Sequence, residues 1–192
     1  MILETLEVKT PIGPVALYAR EDRLCGLEFA DRRERREALT RDLERRFGRF
    51  QAKRAPDPAG ARERLAAYFD GELEALESIP VDVEGTPFQR VVWAALRAIA
   101  AGQTRTYGEI AAAMGQAHAA RAVGAANARN PVSLVIPCHR VVEAGGSLGG
   151  YGGGLDRKRW LLRHEAGATE LLQVPRPPAS STTSKTSPKS AV

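Results

Sequence analysis

The chain predicts a mixed fold of the α/β (α+β) class, in which a small sheet with helices precedes a mainly helical half containing a helix-turn-helix. Three observations predict it. Apolar residues alternate loosely over residues 1–30, as in strands, and recur at helical spacing from residue 31 onward. The charge balance shifts along the chain: residues 1–85 hold 15 Lys/Arg against 18 Asp/Glu, and residues 86–169 hold 10 against 4. Two helix-start signatures, Thr86-Pro87-Phe88-Gln89 and Thr106-Tyr107-Gly108-Glu109, open successive helices in the second half. The expected division is 1-84 for an α/β support domain, 86-170 for a second, functional domain, and 173-192 for a disordered tail rich in Pro, Ser, Thr and Lys.

Taken in order, Leu3 to Val8 reads as a strand, Thr10-Pro11-Ile12-Gly13 as a turn, and Val15 to Ala19 as a second strand. Glu21-Asp22-Arg23 turns again into Leu24 to Phe29, completing an antiparallel meander. Cys25 sits among apolar neighbours there and is expected to pack. Ala38, Leu39, Leu43 and Phe47 then recur at helical spacing, with Asp31 as the expected N-cap and Gly48 as the stop. The run Arg32 to Glu37 interleaves bases with acids, which suits a solvated helix face better than a nucleic-acid contact. Residues 51–60, with Pro56 and Pro58, read as a loop, Ala61 to Phe69 as a short helix ended by Asp70-Gly71, and Ile79 to Val83 as a last strand.

The first capping box opens a helix to about Ala101 that buries Phe88, Val92, Leu96 and Ile99. The second opens a helix ending at Met114-Gly115, and a third runs from Ala119 to Ala128, where Asn130-Pro131 forbids continuation. Short helices joined by a tight turn make a helix-turn-helix candidate. The third helix is nearly bald: Ala119, Ala120, Ala122, Gly124, Ala125 and Ala126 surround one large side chain, Arg121, near its start. So few polar side chains cannot distinguish bases in a major groove. Tight packing in a core and close approach to a groove both remain open for it.

Val132 to Ile136 reads as a short buried strand stopped by Pro137, which leaves Cys138-His139-Arg140 at its exit. A thiol is nucleophilic as thiolate, and a neighbouring cation or base favours that form. In an extended segment adjacent side chains point opposite ways, so a bridging water or a sharp turn has to connect His139 to the sulfur. On Cys-His alone, a small buried hydrophobe and a nucleophile are both open. Gly145-Gly146 and the Gly149–Gly154 cluster lack the lysine and hydroxyl of a phosphate loop and suit a mobile loop against a flat ligand. Asp156 is expected to cap a last helix through Glu165, burying Trp160 and Leu161.

Composition excludes several classes. No apolar run approaches the ~18 residues of a membrane span, and Met1-Ile2-Leu3-Glu4 carries an acid unsuited to a signal peptide. Two cysteines are too few for a disulfide scaffold or a four-cysteine zinc site, so no metal or cofactor is expected in a cytoplasmic, reduced, soluble protein. No acid lies between Glu109 and Glu143, a gap that holds Arg121, Arg129 and Arg140. Such a surface suits a polyphosphate partner, though an ordinary basic patch reads the same way.

Pro137-Cys138-His139-Arg140, preceded by Asn130-Pro131 and followed by Val141-Val142, resembles the active-site segment of the O6-alkylguanine-DNA alkyltransferases, the methylated-DNA–protein-cysteine methyltransferases. Thr106 to Ala111, Ala120 to Asn127, Gly149 to Leu155 and Lys158 to Glu165 match the same family in order and spacing. The resemblance is dense from about Pro87 to Gly167 and weaker before that. It implies a ribonuclease-H-like first domain and a winged-helix-like second domain that binds DNA and accepts the alkyl group. It implies that Cys138 takes the alkyl group from guanine O6, once and irreversibly, that His139 receives the thiol proton through a water, and that Glu165 holds the imidazole. Tyr107 is implied to donate toward the guanine ring and Asn130 to brace the turn. By the same resemblance the helix bearing Arg121, Ala122 and Gly124 enters the minor groove, with Arg121 in the place of the extruded nucleotide. Backbone at Cys138 and Val141 accepts from the exocyclic amine, and Tyr151 and Gly152 line the loop side. The implied partner is double-stranded DNA containing O6-alkylguanine, with O4-alkylthymine as a further substrate, bound by a monomer that is nucleoid-associated when on DNA.

Two positions depart from the family pattern: Gly152, where some relatives carry Ser, and Ala128, where close relatives often have Gly. A non-catalytic lesion binder of the same scaffold has another residue in place of the cysteine, so Cys138 argues against it. A regulator with a four-cysteine zinc domain is excluded by the lone Cys25 in the first half, and a Cys-His hydrolase normally has its pair distant in sequence.

Overall fold

The computed structural model describes residues 1–167; the expected tail at 173-192 lies outside the described residues. Strands β1 (Ile2–Val8), β2 (Val15–Arg20) and β3 (Arg23–Phe29) form the antiparallel meander, with Leu6 opposite Leu17 and Leu17 opposite Leu27. Helix α1 (Arg33–Phe47) follows and packs Leu39 and Leu43 against Leu3 and Cys25 on the sheet. The chain then returns as β4 (Gln51–Arg54), parallel to β1, in the order β3-β2-β1-β4. Four of the ten residues expected as a loop at 51–60 are thus strand. All four residues of β4 are exposed, so no buried face imprinted an apolar pattern on the sequence. Helix α2 (Ala61–Phe69) ends at Asp70 as expected. Residues 79–83 make only the single bridge Leu24–Val81 instead of a last strand.

Three further expectations are corrected. Asp31 does not cap α1; the cap position is Arg32, without a side-chain bond, and the Asp31 carboxylate accepts from Arg157 at 2.5 Å. Asp156 lies in the first turn of the last helix, past the cap position Gly154, and pairs with Arg159 at 2.8 Å. Residues 132–136 are buried but form a tight turn, with Leu134 at φ 72° and Ile136 N–H donating to the Val132 carbonyl at 3.0 Å.

In the second half both capping boxes form. Thr86 and Gln89 close α3 (Pro87–Arg97), and Thr106 and Glu109 close α4 (Tyr107–Ala113). Helix α3 stops at Ala98, short of the expected Ala101. After a 3-10 turn comes α5 (Ala120–Ala128), completing the helix-turn-helix, and Trp93 Nε1 of α3 donates to the Ala126 carbonyl at 3.0 Å. The short strands β5 (Arg105–Thr106) and β6 (Val141–Val142) pair in parallel, and α6 (Leu155–Ala166) closes the described chain. One hydrophobic cluster runs from Ile12 through Trp93 and Ile136 to Leu161, so residues from both halves share a core.

Candidate functional site

Cys138, His139 and Arg140 form a 3-10 turn directly after Pro137, and all three are buried. This sharp turn replaces the extended exit that the apolar run suggested. Asn130 fixes it from below: its Nδ2 donates to the Ile136 carbonyl at 2.8 Å and its Oδ1 accepts from Val132 N–H at 3.0 Å. Both bonds lie inside the protein, where a lost partner leaves an unpaired polar group costing about 1–3 kcal/mol.

His139 and Glu165 meet as α6 delivers its last turn to the turn at 138–140. His139 Nε2 lies 2.9 Å from Glu165 Oε1, so the ring donates there and Nδ1 is left as an acceptor. That Nδ1 is buried without a partner among the described residues. Glu165 is more crowded than its sequence suggested. Oε1 also accepts from Tyr68 Oη at 2.8 Å and from Arg140 Nη2 at 2.9 Å. Oε2 accepts from Arg140 Nε at 2.9 Å and from Gly102 N–H at 3.4 Å. Arg140 Nη1 donates onward to the Ile99 carbonyl at 2.5 Å. Burial pushes the Glu165 carboxyl up, but the bonds and charges of His139 and Arg140 outweigh it and hold the group well below the usual carboxylate range.

Burial pushes the Cys138 thiol up; the Asn130 side chain and the charges of Arg35 and Lys158 oppose that, and Glu28 adds to it. The resting group is therefore a thiol, and a base has to take its proton. Cys25 is pushed up to about 11, chiefly by burial, and its thiol donates to the Tyr18 carbonyl at 3.3 Å, as befits a packing residue. Tyr107, half-buried at the start of α4, is raised by burial and by the nearby charges of Cys138 and Glu143. A side chain at Gly124 on α5 would touch its ring at 3.7 Å.

The loop between β6 and α6 closes the other side. Tyr151 stands edge-on to His139 at 6.4 Å and to Phe29 at 6.2 Å, with its hydroxyl buried and unpartnered among the described residues. Lys158, wholly buried, holds this loop: Nζ donates to the Val141 carbonyl at 2.5 Å, to Leu148 and to Gly150 at 3.4 Å. Burial lowers its pKa to about 8 against the pull of Cys138 and Glu143. The Val141 carbonyl therefore has one lone pair already used. A side chain at Gly152 would lie 2.5 Å from the Arg35 guanidinium, so Arg35 fills the space where some relatives carry Ser. Arg35 is not the solvated residue its charge run implied. It reaches inward to buried Glu28 at 2.6 Å and to the Ala128 carbonyl at 3.2 Å, the second departing position.

The structure thus gathers Cys138, His139, Glu165, Asn130, Tyr151 and the Val141 backbone. Arg121 and Ala122 stand on the exposed face of α5, outside this buried cluster. Sequence reasoning missed Tyr68, Arg140, Lys158 and Arg35 as members of the site. Lys158 carried a signal, being the one lysine between residues 86 and 167. Among the described residues no group of three His, Cys, Asp or Glu could hold a metal ion, and no helix is long and apolar enough to cross a membrane.

Comparisons with known proteins cover both halves. The family model described as 6-O-methylguanine DNA methyltransferase, DNA binding domain, matches residues 87–167, and that described as its ribonuclease-like domain matches residues 3–83. The methylated-DNA–protein-cysteine methyltransferase of Salmonella typhimurium is 47% identical over 167 residues, 85% of this chain and 97% of that protein. The crystal structure of Mycobacterium tuberculosis OGT in complex with DNA superposes with a TM-score of 0.72 at 40% identity, covering 86% of this chain and 93% of that one. The O6-methylguanine-DNA methyltransferase of Pyrococcus kodakaraensis superposes with a TM-score of 0.68 at 28% identity, covering 86% and 99%.

Proposed function

Because the chain belongs to the 6-O-methylguanine DNA methyltransferase family, we propose that it repairs DNA by transferring the alkyl group of O6-alkylguanine to its own Cys138. The observation that carries this reading is the buried Nδ1 of His139, unpartnered among the described residues, whose other nitrogen is committed to Glu165, on the residue after a buried thiol. A water between Nδ1 and Sγ completes a relay of nucleophile, base and orienter. The thiol proton passes through that water to Nδ1. Sulfur then attacks the alkyl carbon, the bond from carbon to O6 breaks, and the bonding pair stays with the base. Tyr107 donates a hydrogen bond toward the ring as negative charge builds there. The base anion then takes up one proton from solvent while the imidazolium gives one back, leaving neutral guanine and a thioether, so atoms and charge balance without a cofactor. The thioether is not hydrolysed, so each molecule reacts once.

A stacked base cannot present O6 to a buried thiol, and rotating it out costs a few kcal/mol. The exposed face of α5 suits base rotation. Ala122 and Ala125 let the helix lie close in a minor groove, and Arg121 fills the place of the extruded nucleotide. Backbone at Cys138 and Val141 then accepts from the exocyclic amine, with Tyr151 and Gly152 on the loop side. In this reading residues 86-170 bind DNA and accept the alkyl group, and residues 1-84 support them. The protein acts as a cytoplasmic monomer and extends to O4-alkylthymine. The test is intact mass after mixing with a duplex carrying one O6-methylguanine, with Cys138→Ala in parallel. One methyl mapped to Cys138 and absent from the variant is expected. Binding without gain of mass would make the protein a lesion sensor and overturn the reading.

A further inference from the structure

The carboxylate that orients His139 is held partly from the first half of the chain. Tyr68 lies near the end of α2 and is fully buried, yet its hydroxyl donates to the same Glu165 oxygen that accepts His139 Nε2, at 2.8 and 2.9 Å. The ring is fixed at its other end too. His164, the residue before Glu165, donates from Nε2 to the Tyr68 carbonyl at 2.8 Å and lies edge-on to its ring at 5.1 Å. Phe69 lies edge-on to it at 5.2 Å. Filling this space would need only a phenyl ring; a buried hydroxyl is costly unless it makes its bond. Burial and the Glu165 charge push the Tyr68 phenol far above its ordinary range, so it stays a donor.

We propose that Tyr68 is a positioning residue for alkyl transfer: by sharing Oε1 with His139 it holds the Glu165 carboxylate where the imidazole keeps its proton on Nε2 and offers Nδ1 toward Cys138. This rests on the reading of His139 as the base. The imidazole meets Glu165 from α6 and Tyr151 from the loop; Cys138 and Arg140 flank it in the turn, Arg140 bonding the same carboxylate, and Tyr68 acts on it from α2 through Glu165. Three donors on Oε1 spread its charge. Without the phenol, the less shared charge favours an imidazolium, which can no longer accept the thiol proton.

The experiment measures single-turnover methyl transfer from an O6-methylguanine duplex across pH for the wild type, Tyr68→Phe and the packing control Phe69→Leu. The methyl bound per protein at completion gives the active fraction, so misfolded molecules do not enter the rate. Tyr68→Phe should react about tenfold more slowly near neutral pH, with the acid limb of its profile displaced upward by about half a unit or more. Its affinity for the duplex should be unchanged, and Phe69→Leu should keep the wild-type acid limb. An unmoved acid limb in Tyr68→Phe, or an equal displacement in Phe69→Leu, overturns the proposal. A wild type that gains no methyl instead overturns the reading of the site on which it rests.

Discussion

Glu165 accepts three donors on one oxygen and two on the other, and this crowding decides what its loss would do. Glu165→Gln leaves the buried Arg140 guanidinium without its countercharge, a change that typically costs about 3–5 kcal/mol; urea unfolding at neutral pH measures it. The pH dependence has a definite sign. The folded-state pKa is depressed, so this stabilisation is fully present above the ordinary value of 4.5 and is lost as pH falls below it. The gap in unfolding midpoint between wild type and Glu165→Gln should shrink through that acid range. Cys138 and His139 stood out in the sequence as a pair at the exit of an apolar run stopped by Pro137, while their roles and that of Asn130 came from the family resemblance. Tyr68 was not, since its partner lies 97 positions away and an isolated Tyr in a helix carries no local mark.

At the scale of elements, the helices were legible and the irregular segments were not. Both capping boxes could be read because Thr and Gln or Glu stand three positions apart, and they form as written. Thr106→Ala should cost about 1 kcal/mol in chemical unfolding through loss of the α4 cap. The turn at 132–136 was misread as a strand because burial on all sides produces the same unbroken apolar run in either conformation. The loop between β6 and α6 hangs on Lys158, which bonds three of its carbonyls or their neighbours. Lys158→Met should raise proteolytic cleavage and amide exchange within residues 143–150 while leaving α3 protected. On α5, Arg121→Ala should change stability by less than about 0.5 kcal/mol, since the side chain is exposed. If Arg121 fills the gap left by a rotated base, the same variant slows transfer from duplex much more than from single-stranded DNA, as single-turnover rates on the two substrates would reveal.

For the whole molecule, the charge contrast between the halves was plain in the composition, whereas the way they interlock was not. Leu27 of β3 bridges Val132 beside the site turn, Arg157 of α6 reaches Asp31, and Tyr68 reaches Glu165. These ties join positions about a hundred residues apart, beyond any periodicity a window can detect. With 10 Lys/Arg against 4 Asp/Glu over residues 86–169, duplex affinity should fall steeply between 50 and 200 mM salt, by about tenfold or more if several phosphates are neutralised. Titrations at fixed salt steps measure that slope.

The shared core also has a consequence during synthesis. Tyr68 leaves the ribosome 97 residues ahead of Glu165, a wait of roughly 5–20 s at about 5–20 residues per second. Over that interval Leu27, Phe29 and Tyr68 lack the apolar neighbours that residues 132–161 supply. The nascent first half therefore has an incomplete core. Its apolar surface stays open until α6 emerges, which finishes the core and brings Glu165 to His139 in the same closing step.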